Sequence, residues 1–190
     1  MVKAKVLSKN ERRIDIELKD ITPAFVNSIR RYSINMVPVY AIDSITVYEN
    51  TTALFDEYIA HRIGQIPLTT PEKGPKDTEV GVFLDFQGPG VIMSGDLKSN
   101  NDEVKPALDN IPILTLKEGQ TLRIEGKIKK DIGRHHAKFQ SGISSYELSD
   151  DEKSAVLFVE SLYHMPAEDV LKRAIDEIRK DLSNLKKSLK

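Results

Sequence analysis

Residues 20–43 have the sequence DITPAFVNSIRRYSINMVPVYAID, which predicts a helix that leads into a strand. Thr22 is a good N-terminal cap, and Pro23 falls in the first helical turn, where its missing N–H costs no hydrogen bond. Pro38 ends the helix, and the β-branched residues of YAIDSITVYE (40–49) predict the strand. Spacings of four, three and four residues place one apolar stripe on the helix: Phe25, Ile29, Tyr32 and Met36.

Alternating apolar and polar residues predict that strands make up most of the remaining chain. In RRIDIELKD (12–20), Ile14, Ile16 and Leu18 alternate with charged residues, as in a half-buried strand. PLTTPEKGPKDTE (67–79) contains three prolines and a glycine and is predicted to be a loop. This mixture of helices and strands indicates an α+β protein. Further strand-like runs are VGVFLDF (80–86), GVIMSGD (90–96), IPILTL (111–116), TLRIEGKIKK (121–130) and AVLFVESLY (155–163).

The C-terminal segment carries the clearest helical pattern. Pro166 opens it, and Glu168 and Asp169 lie near its positive end. A heptad-like seam of this kind can be buried against the protein's own domain or against another subunit, and the sequence favours neither alternative. Spacings of 4-3-4-3-4 separate the residues of the seam: Leu171, Ile175, Ile178, Leu182, Leu185 and Leu189.

Composition excludes several classes of chemistry. The 190 residues carry 28 basic and 29 acidic side chains, so the net charge of -1 gives no basic surplus for nucleic acid. The absence of cysteine excludes disulfides, thiolate metal sites, cysteine-held iron–sulfur clusters and cysteine nucleophiles. No apolar run approaches the roughly 20 residues of a membrane span, and the N-terminal residues lack a signal peptide's apolar core. We expect a cytoplasmic protein.

The stretch ALFDEYIAHRIGQIPL (53–68) contains the strongest candidate for catalysis. Glu57 and His61 are four residues apart and share a helical face, so they could hold a metal ion or move protons. A catalytic zinc helix needs two nitrogen ligands and a third ligand elsewhere, and this face offers one carboxylate and one imidazole. The apolar stripe Phe55, Ile59 and Ile63 is predicted to pack this helix. We therefore predict no catalytic, cofactor-binding or metal-binding residue; a metal-dependent enzyme centred on Glu57 and His61 is the alternative.

Two basic segments suggest other kinds of binding. GRHHAKFQ (133–140), with Lys129 and Lys130, could form a stand-alone nucleic-acid-binding module. Arg30 and Arg31 are consecutive on the first predicted helix. Arginine is enriched at interface centres, although solvated helix arginines are more common.

Four ordered stretches resemble one family, and together they span almost the whole chain. They are NSIRRYSINMVPVYAID (27–43), ENTTALFDEYIAHRIGQIPL (49–68), GRHHAKFQ (133–140) and VLFVESLYHMPAEDVLKRAIDEI (156–178). These stretches are similar to the α-like subunits of multisubunit RNA polymerases, and in particular to the D-type member of that family in the archaeal DNA-directed enzymes.

The resemblance implies an α+β fold in two parts. A discontinuous dimerisation domain, of strands and two long helices, would comprise residues 1–40 and 144–190, with a mostly β domain inserted at 41–143. Its role would be non-catalytic assembly: it would pair with a small L-type subunit and form the platform for the large subunits, which hold the catalytic magnesium ions. The residues implied for that pairing are Phe25, Ile29, Tyr32, Leu171, Ile175, Ile178, Leu182 and Leu185.

The resemblance also implies contacts with other polymerase subunits. The partners would be the second-largest catalytic subunit and the small zinc subunits of the N and P type, with DNA reached only through the whole enzyme. Many archaeal members carry a cysteine-rich iron–sulfur domain, which we expect to be absent because FQSGISSYELSDDEKSAVLF (139–158) runs almost directly into the last strand. No cofactor is expected. The residues implied for these contacts are Arg30, Arg31, Asp56, Glu57, His61 and Arg62.

Overall fold

The strand that carries Ile14, Ile16 and Leu18 is central to the first sheet. A computed structural model describes residues 2–75 and 80–189 of the chain. The three side chains are buried, as the alternation predicts, and the charged residues between them face outward. In chain order the helices and longer strands are β1 (Lys3–Lys9), β2 (Arg13–Lys19), α1 (Pro23–Asn35), β3 (Val39–Asn50), α2 (Asp56–Gly64), β4 (Gly81–Gln87), β5 (Gly90–Met93), β6 (Lys98–Ser99), β7 (Pro112–Leu116), β8 (Thr121–Asp131), β9 (Gly142–Leu148), β10 (Ser154–Ser161) and α3 (Ala167–Ser188).

The chain folds into two compact units. The first unit contains residues 1–38 and 132–190, and the second contains residues 39–131. The boundaries expected from the resemblance were 40/41 and 143/144. Residues 132–141 fall in the first unit because they are hydrogen-bonded to α1: the Arg134 N–H donates to the Asn35 carbonyl at 3.1 Å, and Ser141 Oγ donates to the Ser33 carbonyl at 2.8 Å.

The first unit is a four-stranded antiparallel sheet packed against α1 and α3. Its strand order is β1-β2-β10-β9. Thr22 Oγ1 accepts a hydrogen bond from the Phe25 N–H at 3.3 Å, so the predicted cap of α1 is confirmed. Val26 and Ile29 of α1 are buried, as are four residues at the start of α3: Ala167, Val170, Leu171 and Ala174.

The second unit is mostly β. A sheet in the order β3-β8-β4-β6 lies beside the antiparallel pair β5-β7, and α2 buries Ile59 and Ile63 in the shared core. Gly126 lies at the middle of β8, opposite Ile45 of β3 and Val82 of β4. A Cβ at this position would lie 2.7 Å from the Val82 side chain, so only glycine fits the close packing there.

The predicted elements are largely confirmed, with departures at two helices. The stripe predicted on α1 is not one buried face, because Phe25 is exposed, Val26 and Ile29 are buried, and Met36 is the C-terminal cap of the helix. All the strand-like runs named above contain a strand, and helices occur where α1, α2 and α3 were predicted. Phe55, however, does not pack α2: its side chain is 81% exposed.

Residues 67–75 of the predicted loop contain no helix or strand beyond an isolated bridge at Leu68, and its last part, 76–79, lies outside the described residues. Among the helices of the described residues, none is both long and apolar enough to cross a membrane.

Candidate subunit interfaces

The seam on α3 divides into a buried half and an exposed half. Leu171 is buried within the first unit, and Ile175 and Ile178 are half-buried. Leu182 and Leu185, in contrast, are 60% and 56% exposed, and Leu189 is 80% exposed. The protein's own domain therefore buries the first half of the seam and leaves the second half exposed. We call Leu182, Leu185 and Leu189 the distal seam.

Helix α1 contributes one large exposed apolar side chain to the same unit. Phe25 is 42% exposed, whereas Ile29 is buried and belongs to the protein's own core. Tyr32 is half-buried, and its Oη donates a hydrogen bond of 2.8 Å to Asp181 Oδ2 on α3. This bond raises the pKa of Tyr32 above its ordinary value of 10.0. Of the three α1 residues implied for pairing with an L-type subunit, Phe25 and Tyr32 are therefore accessible and Ile29 is not.

An ion-pair cluster fixes the beginning of α3. Glu168 accepts from Lys172, one turn later, at 2.8 Å, as its spacing predicts, and it also pairs with Lys9 of β1. The two ammonium groups, with Lys172 contributing most, lower the pKa of Glu168 from 4.5 to about 2. The carboxylate thus joins the first turn of α3 to the edge strand of the sheet.

Helix α2 of the second unit carries the four residues implied for contacts with other polymerase subunits, and all four are exposed: Asp56, Glu57, His61 and Arg62. Two of them are held in place. Asn50 Nδ2 donates to Asp56 Oδ1 at 2.7 Å, and Arg62 Nη2 donates to the Pro112 carbonyl at 2.9 Å.

Two aromatic residues at α2 are also exposed, and neither was predicted to contact a partner. Phe55 precedes the helix, and Tyr58, which is 51% exposed, lies next to Arg62 with the guanidinium carbon 6.0 Å from its ring centroid. A groove of about 420 Å³ borders Tyr58 and Arg62 and is otherwise lined by Leu54, Val91 and residues 112–115. Exposed aromatics beside an arginine are typical of interface centres. We define the α2 surface as Phe55 to Tyr58 together with His61 and Arg62.

The metal alternative finds no support in the geometry. Glu57 and His61 both lie on the exposed side of α2. In the ranges 2–75 and 80–189, no group of three or more His, Asp or Glu side chains is arranged to hold a metal ion.

The basic segments have local structural roles. His136 Nδ1 accepts from the Lys138 N–H at 3.1 Å, and Lys138 Nζ lies 5.2 Å from the ring of the buried Phe139. Arg30 is half-buried, and its Nη2 donates to Asn27 Oδ1 at 3.0 Å. Arg31 is exposed and lines a polar groove of about 420 Å³ with Tyr32, Asp181 and Arg134. The first unit therefore offers cationic groups beside the helices as well as an apolar seam.

Comparison with known proteins assigns the chain to a family. Residues 39–163 match the family model described as the RNA polymerase Rpb3/RpoA insert domain. The DNA-directed RNA polymerase subunit Rpo3 of Methanocaldococcus jannaschii is 42% identical over 154 residues, covering 80% of this chain and 78% of the relative.

Two further relatives carry the same name. Rpo3 of Pyrococcus horikoshii is 42% identical over 154 residues, which cover 77% of this chain, and Rpo3 of Natronomonas pharaonis is 41% identical over 138 residues, which cover 73%. The chain spans 60% and 56% of the length of these two relatives. It belongs to the Rpb3/RpoA family of RNA polymerase subunits, with the archaeal subunit Rpo3 among its relatives.

Proposed function

We propose that this chain is a non-catalytic assembly subunit, of the D type, in an archaeal DNA-directed RNA polymerase of the cytoplasm. In this proposal the first unit is the dimerisation domain, and it pairs with a small L-type subunit. The pair forms the platform on which the large subunits collect. The exposed distal seam is the single observation that carries the proposal, because three leucines on one helical face remain uncovered within the chain.

The geometry of the first unit supports pairing with one helix. The distal seam has spacings of three and four residues between its leucines. This spacing places the three leucines in one narrow stripe, which one partner helix can cover by knobs-into-holes packing. Phe25 of α1 and the half-buried Ile175 and Ile178 extend the apolar area. Ile29 and Leu171 act indirectly in this proposal, since they hold α1 and α3 against the sheet.

The α2 surface is proposed to bind the second-largest catalytic subunit and the small zinc subunits of the N and P type. Its two aromatic side chains supply apolar contact, and the charges of Asp56, Glu57 and Arg62 surround them. Such a polar rim around aromatic residues is the usual anatomy of a protein interface. Arg30 and Arg31 are proposed to contribute a second, cationic contact from α1.

Catalysis is assigned to the large subunits, and DNA contact to the assembled enzyme. The candidate pair Glu57 and His61 is exposed on the proposed docking surface, where a substrate would not be excluded from water. No cysteine is available for the iron–sulfur clusters of some family members, so the proposal includes no cluster.

Co-expression with an L-type subunit from a related archaeon tests the proposal. We expect the two chains to co-elute in size-exclusion chromatography, with light scattering giving the mass of a 1:1 complex. Separate elution at micromolar concentration, with both chains folded by circular dichroism, would overturn the pairing.

A further inference from the structure

Among the described residues, the distal part of α3 has one side-chain hydrogen bond to the rest of its unit. Every residue from Arg179 to Leu189 is exposed. In the part of the chain that the structure describes, one side-chain hydrogen bond joins this segment to another element, from Tyr32 Oη to Asp181 Oδ2 at 2.8 Å. The other side-chain bonds of the segment are local, such as Ser188 Oγ to the Leu185 carbonyl.

The distal segment continues the 22-residue helix α3, so it needs no nucleation of its own. Its exposed end can nevertheless fray, because its helical hydrogen bonds are solvated and few contacts hold it in place. A partner that binds a frayed or displaced segment must also order it, and that cost is subtracted from the affinity.

We infer that the Tyr32–Asp181 hydrogen bond is a latch that presents the distal seam to its partner in a preformed orientation. This inference rests on the proposed function and adds two positioning residues to it. Asp181 directly precedes Leu182, so fixing its carboxylate fixes the rotation of α3 at the seam. Tyr32 is itself anchored, because Ile29 and Ser33 of the same helix are buried against the sheet.

The ionisation of Tyr32 is consistent with a latch at physiological pH. Its pKa is raised by the bond to Asp181 and then by burial, while Glu177 raises it further and Arg134 lowers it. The hydroxyl therefore remains a protonated donor throughout the neutral range.

Hydrogen exchange and binding measurements on the full chain test the latch. The variants are Tyr32→Phe, Asp181→Ala, the double variant, and Asp181→Asn, which keeps an acceptor oxygen. In the free chain, we expect Tyr32→Phe and Asp181→Ala to speed amide exchange in residues 179–189. In binding to the L-type subunit, each should raise Kd about 3- to 10-fold, the value of one partly exposed hydrogen bond.

The double variant separates a latch from two independent contacts. If the bond is the latch, the double variant binds no more weakly than either single variant, and Asp181→Asn binds more tightly than Asp181→Ala. Unchanged exchange in the free chain, or additive losses of affinity, would overturn the latch. Failure of the wild-type chain to bind an L-type subunit would instead remove the proposed function, which makes the two failures distinguishable.

Discussion

Replacing two exposed leucines of the distal seam with aspartate is expected to weaken pairing severely without unfolding the chain. Leu182 and Leu185 are 60% and 56% exposed, so little of their apolar surface contributes to the stability of the free protein. Complete burial of a leucine is worth about 2 kcal/mol, so each leaves about 1 kcal/mol for a partner to gain. The double variant Leu182→Asp/Leu185→Asp loses that gain.

The introduced carboxylates add a second penalty. Burying each of two unpaired charges in an apolar contact costs at least about 1 kcal/mol, even after partial solvation. The sum is about 4 kcal/mol, so Kd for the L-type subunit should rise roughly 1000-fold in isothermal titration calorimetry.

A matched control adds the same charge to the same helical turn. Ser183 and Asn184 are exposed and lie about 100° or more around the helix from each leucine of the distal seam. Ser183→Asp/Asn184→Asp should therefore bind within about threefold of the wild-type chain, and both double variants should unfold within about 1 kcal/mol of it in urea. Binding by the leucine variant at wild-type strength, or an equal loss in the control, would refute the assignment of the seam.

Three further predictions concern the α2 surface, the core and acid stability. The double variant Phe55→Ala/Tyr58→Ala should keep its free energy of unfolding within about 1 kcal/mol of wild type, because both rings are exposed. It should nevertheless reduce capture of the larger polymerase subunits by a tagged chain. Undiminished capture would contradict the proposal that the α2 surface binds these subunits. Leu157→Ala, at a fully buried site, should cost about 2–5 kcal/mol in urea unfolding, and a loss below about 1 kcal/mol would contradict the described core. The pKa of Glu168 is lowered to about 2, so its contribution is complete above the ordinary value of 4.5 and disappears as pH falls towards 2. The difference in urea midpoint between wild type and Glu168→Gln should accordingly stay constant from pH 7 to 5 and shrink towards zero as the pH falls to 2. A difference that stays constant down to pH 2 would exclude a stabilising contribution from the Glu168 carboxylate.

The periodic elements could be predicted from the sequence because their burial follows the local repeat. Ile14, Ile16 and Leu18 alternate and are buried together, and Thr22 caps α1 as its position implies. The prediction that Phe55 packs α2 was wrong because Phe55 is the N-terminal capping residue of the helix, with extended backbone angles of φ -68° and ψ 150°. Its side chain therefore leaves the helical stripe, and the preceding Leu54 packs against the core instead.

The strands without an apolar alternation were not predictable in this way. Every residue of β1 is exposed, so this edge strand shows no buried face in its sequence. In β9 an inward position is occupied by Ser144, whose Oγ donates to the Phe158 carbonyl at 2.7 Å and so satisfies its hydroxyl within the core. A hydrogen-bonded serine can replace an apolar residue there, which removes the signal.

The candidate interfaces were predictable as residues but not as accessible surfaces. The repeat on α3 is uniform from Leu171 to Leu189, whereas its burial depends on which elements of the fold lie opposite each turn. The Tyr32–Asp181 bond joins positions 149 residues apart, and no local pattern connects them.

Site-specific photo-crosslinking in the assembled polymerase tests the central claim most directly. A benzophenone side chain placed at Leu185 should form one crosslinked product, whose mass equals this chain plus the L-type subunit. The same group at Ser183 should give much less of that product. Crosslinking from Leu185 to a large subunit or to a second copy of this chain, with none to the L-type subunit, would contradict the pairing through the distal seam.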